Sequence, residues 1–146
     1  MIIGSVSENI QIEKRVTITP EISKKYKSLG IDICLNKNYG IHLGFNDEDY
    51  IKEGVEILDI DKDVIKKSDV ILQLSIPNDE NLKMFKQDQI LVGVLDPFSN
   101  GDKLKNLTER KISCFSLELL PRITRAQSMD ILSSQANLAG YKAVVD

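Results

Sequence analysis

Short apolar runs alternate with helix-like stretches along nearly the whole chain. Residues 1–6 read as a first strand, and residues 31–35, apolar and polar by turns, as a second. Between them Thr19-Pro20-Glu21 is a helix start: a capping hydroxyl, a proline at the first helical position and an acid in the first turn. That helix ends at Gly30, a residue suited to a left-handed C-terminus. Asn46 or Asp47 caps a short helix through Glu53, closed by Gly54, and residues 55–58 form a third strand. A helix over residues 61–67, a strand over 69–74 stopped by Pro77, and a helix over 79–86 follow. Residues 89–95 are the strongest strand, because a continuous apolar run fits a parallel sheet covered on both faces. A helix over 100–110 and a strand over 111–117 complete the alternation, and one long helix runs from Thr124 to the last residue.

Strand–helix alternation with short connections predicts an α/β domain spanning residues 1–146, Rossmann-like or flavodoxin-like, with a largely parallel sheet and a long terminal helix. Nineteen basic residues against twenty-two acidic ones leave a net charge of -3, which argues against a nucleic-acid binder. The longest apolar run is far short of the roughly 20 residues a membrane helix needs. The amino terminus carries no basic leader, so a secretory signal is not expected. Cys34 and Cys114 lie in separate apolar runs and read as buried, inert thiols; His42, among Gly40, Gly44 and Phe45, reads as a loop residue rather than a metal ligand. No Gly-x-Gly-x-x-Gly occurs, so the usual grip on a dinucleotide pyrophosphate is missing.

One segment carries more than fold. After Pro121, Thr124 and Gln127 match a capping box. The helix beyond them has two stripes. Met129, Leu132, Ala136, Ala139 and Ala143 make an apolar, core-facing one. Gln127, Asp130, Ser134 and Asn137, with Ser133 beside them, make a polar one without Lys or Glu. Such small polar groups are poor helix formers and suit a face that meets a polar ligand or another domain. Arg122 and Arg125 are within reach of Asp130 and Glu118. The pattern alone fits a structural helix–turn junction as well as it fits a ligand site.

The run from Glu118 to Tyr141, which includes Pro121-Arg122-Ile123-Thr124-Arg125-Ala126-Gln127-Ser128-Met129-Asp130, resembles the N-terminal domain of the proton-translocating nicotinamide nucleotide transhydrogenase alpha subunit. Arg15-Val16-Thr17-Ile18-Thr19-Pro20, Asn38-Tyr39-Gly40 and the stretch from Phe45 to Gly54 resemble the same family, so the likeness spans nearly the whole chain. Alanine dehydrogenases share a weaker form of it. The resemblance implies hydride transfer from NADH to NADP+ coupled to proton translocation. It implies NAD(H) on this component and NADP(H) on a partner. Arg122, Asp130 and Ser133 would orient the nicotinamide carboxamide, and Gln127 would reach towards the NADP(H); Gln127 and Asp130 would be the residues nearest the chemistry.

The implied partners are a second copy of the subunit, an NADP-binding beta subunit and a membrane proton channel. These would hold the protein at the cytoplasmic side of the inner membrane. The nucleotide-binding Rossmann domain would follow the terminal helix, outside this chain, so the 146 residues alone would be inactive. Alanine dehydrogenases resembling this chain use a Lys after the central strand and a His near the end of the next. Here those stretches read Gln73-Leu74-Ser75-Ile76-Pro77 and Val94-Leu95-Asp96-Pro97, with neither. Arg15 remains, and reads equally well as a loop arginine near a helix start. The remaining alternatives are an amino-acid dehydrogenase fragment and a non-catalytic docking or dimer-contact domain.

Overall fold

The computed structural model describes residues 1–145; Asp146, the last residue of the predicted terminal helix, lies outside the described residues. Six strands form one sheet: β1 (Ile2–Ser5), β2 (Asp32–Asn36), β3 (Glu56–Leu58), β4 (Val70–Gln73), β5 (Ile90–Gly93) and β6 (Ser113–Ser116). Their order is β3-β2-β1-β4-β5-β6 and every pair is parallel. This is the Rossmann order, not the flavodoxin one.

Helices α1 (Pro20–Ser28) and α2 (Asp47–Lys52) lie on one face of the sheet. Helices α3 (Asp61–Lys67), α4 (Asp79–Met84) and α5 (Gly101–Glu109) lie on the other, as right-handed crossovers running outward in opposite directions require. The core is accordingly double. Val64, Ile65, Ile71, Leu91, Leu95 and Leu107 pack beneath α3–α5, whereas Ile18, Ile33, Leu35, Tyr39 and Tyr50 pack beneath α1 and α2. Helix starts follow local chemistry: Thr19 Oγ1 accepts from the Ile22 amide at 3.3 Å, Asn46 and Asp49 form a reciprocal capping box, and Asn78 Oδ1 accepts from the Asn81 amide at 2.8 Å. α4 stops at Met84, short of the predicted Lys86, because Phe85 turns to an extended conformation.

Two expectations fail for one reason. β5 is not covered on both faces: Leu91 is buried beneath α3–α5, but Ile90 and Val92 on the opposite side are only partly buried, and Phe115 beside them on β6 is 55% exposed. Crossovers from β4 onward run over the α3–α5 face, and α1 and α2 cover only the other half of the sheet. The last helix, α6 (Ile131–Val145), does not complete the layer. It presents no core-facing stripe, since Met129, Leu132, Ala136, Ala139 and Ala143 are all exposed. Its first turns stand off from the carboxyl edge of the sheet across a cavity of about 520 Å³ lined by Leu72, Leu74, Val92, Val94, Leu117 and Ile131.

Candidate functional site

The chain leaves β6 through a single-turn 3-10 helix, Leu117–Leu119, and a second 3-10 helix, Thr124–Met129, anchored by buried Ala126. The long helix therefore starts at Ile131, not Thr124, and the Thr124–Gln127 capping box does not form. Asp130 performs the capping instead. Its Oδ1 accepts from the amides of Leu132 and Ser133, each at 3.0 Å, and its Oδ2 accepts from the Ser133 hydroxyl at 2.6 Å. A carboxylate at a helix N-terminus satisfies orphan amides and meets the positive end of the helix dipole. The Ser133 hydroxyl, followed by these amides, holds the Asp130 carboxyl below its ordinary range, with Arg122 adding a smaller attraction.

Arg122, Thr124, Gln127, Asp130 and Ser133 line one surface cleft of about 280 Å³. The four residues singled out in the sequence thus meet around one concavity, with Arg122 at the turn and Asp130 and Ser133 at the helix mouth. Glu118 is not part of it: its Oε1 accepts from the Asp96 amide at 2.5 Å, and among the described residues neither Arg122 nor Arg125 pairs with it. Asp96 has a φ of 43°, a left-handed turn after β5 that this bond fastens.

A second constellation sits between β1 and β4, where the strand order reverses. The Thr17 amide donates to the Tyr39 hydroxyl at 3.1 Å. Ser5 Oγ lies 2.8 Å from that hydroxyl and donates to Gln73 Oε1 at 3.0 Å, so the phenol proton goes to Ser5. Gln73 Nε2 then donates to Glu8 at 3.1 Å. Glu8 also accepts from the Leu74 amide at 2.6 Å, the Ser75 amide at 3.3 Å and the Ser75 hydroxyl. Burial pushes the Tyr39 phenol up, against smaller opposing hydrogen bonds. β1 opens into a long loop, with no helix start aimed at the crevice, and Glu8 already fills the amide pair that an anion would use. Nothing in the apolar periodicity flagged Glu8; the available signal was a lone acid just past a buried strand.

Cys34 is buried as expected, but Cys114 is only partly buried. Cys34 and Cys114 are free thiols pushed up by burial, and His42 Nε2 donates to the Lys14 carbonyl at 2.8 Å. No group of three or more metal-ligating side chains occurs among the described residues, and none of their helices is long and apolar enough to cross a membrane.

A doubly wound parallel sheet with polar side chains gathered at its carboxyl edge defines a Rossmann-like α/β domain. More specifically, the chain belongs to the family described as alanine dehydrogenase/PNT, N-terminal domain, which matches residues 4–139. It is 37% identical over its whole length to the first part of NAD(P) transhydrogenase subunit alpha of Rickettsia prowazekii, of which it spans 39%. The crystal structure of transhydrogenase from Sinorhizobium meliloti superposes on all of it with a TM-score of 0.92 at 37% identity, and the chain covers 43% of that protein. Alanine dehydrogenase 1 of Staphylococcus aureus is more distant, at 27% identity over 99% of the chain and 38% of its own length. The chain therefore spans less than half the length of these relatives.

Proposed function

We propose that this chain is the N-terminal part of the NAD(H)-binding component of a proton-translocating transhydrogenase. The observation that carries the reading is the meeting of Arg122, Gln127, Asp130 and Ser133 in one cleft, in a chain similar to transhydrogenase alpha subunits. A nicotinamide carboxamide offers one carbonyl acceptor and two N–H donors. The Arg122 guanidinium supplies donors, while Asp130 and the lone pairs of Ser133 supply acceptors. This set matches that group and fixes its rotation. When bound, the nicotinamide of NADH supplies the hydride and that of NADP+ accepts it.

The protein's work is to orient the ring and exclude water, and positioning of this kind is worth up to about 7–11 kcal/mol of barrier. No proton-transfer residue is required at the hydride step, consistent with the absence of Lys and His from the stretches 73–77 and 94–97. Gln127, exposed on the lining of the cleft, would reach towards NADP(H) held by a beta subunit. The apolar residues exposed along α6, among them Leu138, Tyr141 and Val144, support contact with a second copy or a following nucleotide domain. Proton translocation would then belong to a membrane component to which this chain is peripheral, on the cytoplasmic side. Residues 1–146 alone bind NAD(H) weakly and do not turn over, because the pyrophosphate grip is not among them.

The test is R122A and D130N in the full-length protein assembled with its partners. Hydride transfer from NADH to an NADP+ analogue falls by about a hundredfold or more, with circular dichroism unchanged. Retained activity with lost assembly would favour a docking domain, and turnover of alanine or pyruvate would favour an amino-acid dehydrogenase.

A further inference from the structure

The loop between β1 and α1 takes no part in the cleft, yet it is held unusually firmly. The Lys14 carbonyl accepts from His42 Nε2 at 2.8 Å, and the Thr17 amide donates to the Tyr39 hydroxyl at 3.1 Å. On either side of Lys14, Glu13 and the half-exposed Arg15 form an ion pair. The Glu13 carboxylate accepts from the Arg15 amide at 2.9 Å, from Nε at 2.8 Å and from Nη2 at 2.6 Å, and its side chain is only 17% exposed. That leaves Nη1, which donates to Gln135 Oε1 at 2.6 Å. Gln135 lies in α6, on the turn that follows Ser133.

Helix α6 has no buried residue, and its first turns overlie a cavity of about 520 Å³. Packing therefore does little to set the rotation and tilt of this helix, and a charge-assisted hydrogen bond to a rigid loop can do so. The Nε–Nη2 edge of Arg15, the one that grips a carboxylate in parallel, is already occupied by Glu13. An incoming substrate carboxylate would meet a like charge there.

We propose that Arg15 is a positioning residue: through Gln135 it sets the orientation of α6, and with it the placement of Asp130 and Ser133 against the nicotinamide carboxamide. This rests on the function proposed above. The side-chain hydrogen bond from Arg15 also holds the Glu13 carboxyl low, so the pair remains ionised through neutral pH.

The test measures NADH affinity by fluorescence, together with amide exchange over residues 131–137, in the full-length protein. R15A and Q135A each weaken NADH binding by about tenfold and speed exchange in the first turns of α6. The double variant is no worse than either single one, as two ends of one bond require. Q135E, which keeps an acceptor for Arg15 Nη1 and adds a charge to it, keeps affinity near that of the natural protein. R15K recovers it only in part, because an ammonium cannot serve Glu13 and Gln135 with the same fork. If R15A and Q135A leave affinity unchanged, or act additively, while R122A abolishes binding, the positioning role is overturned and the nicotinamide site stands. If R122A also binds normally, both fall. Saturable binding of pyruvate that disappears in R15A would make Arg15 a ligand anchor and overturn the proposal.

Discussion

Ser133 Oγ donates to Asp130 Oδ2 at 2.6 Å while Asp130 Oδ1 receives the amides of Leu132 and Ser133. The cap of α6 and the acceptor pair of the cleft are thus the same two side chains. A carboxylate has about four acceptor positions and a hydroxyl two lone pairs. Capping uses three of the first and none of the second. Fixing the helix mouth therefore leaves acceptors aimed by the same bonds that hold the helix.

Asp130 should make the start of α6 sensitive to acid. Its carboxyl is held low in the fold by Ser133, so its stabilisation is fully present above the unfolded value of about 3.9 and is lost as pH falls through the lower folded value. Protection of the Leu132 and Ser133 amides, with the intrinsic exchange rate divided out, should fall over that acid window. D130N should abolish this pH dependence of protection while keeping an acceptor for the cap, and protection factors in the natural protein that do not change with pH would refute the assignment.

Replacing Tyr39 with Phe should destabilise the domain by about 1–3 kcal/mol, because the Thr17 amide loses a part-buried acceptor. Urea unfolding measures it. The raised phenol makes a second prediction. Its stabilisation is present below the unfolded value of about 10 and is lost as pH rises above it. Y39F should flatten that alkaline limb.

Glu8→Ala should cost about 1–3 kcal/mol, since the Leu74 and Ser75 amides at the end of β4 lose their acceptor. The vacated amide pair should accept a small carboxylate, so formate should raise the melting temperature of E8A more than chloride does at equal ionic strength. The same addition should leave the natural protein unmoved, because Glu8 already fills the position. Equal responses would show that no anion nest exists there.

Gly93 and Gly101 should respond oppositely to alanine. A Cβ on Gly93 would lie 2.2 Å from the Gln73 carbonyl oxygen of the neighbouring strand, and backbone cannot move aside cheaply. G93A should cost about 1–3 kcal/mol as overpacking. Gly101, at the start of α5, has nothing within 4 Å of the added carbon, so G101A should stabilise by about 0.4–1 kcal/mol through the unfolded state. Thermal melts of the two variants provide the comparison.

The elements were legible because their causes are local. Apolar runs mark β4 and β5, and Thr19, Asn46 and Asn78 place caps within a turn of the amides they serve. The cleft residues were legible for a similar reason: Arg122, Gln127, Asp130 and Ser133 lie within one short segment, so a turn and a helix mouth suffice to gather them. The pattern misplaces the cap of the last helix because Thr124–Gln127 and Asp130–Ser133 both carry a cap residue followed three positions on by a polar partner, and local pattern cannot choose between them.

Taken alone, then, the amino-acid order determined the parallel α/β class, the main strand and helix positions, and which side chains of the last segment come together in one cleft. Tertiary structure decided the rest: the reversal of strand order between β1 and β4, the bond from Ser75 to Glu8, the bond from Arg15 to Gln135 and the uncovered side of α6. Periodicity reports which face of a helix is apolar, because side chains repeat every 3.6 residues. It carries no information about what lies opposite that face, which depends on where the crossovers place the other layers.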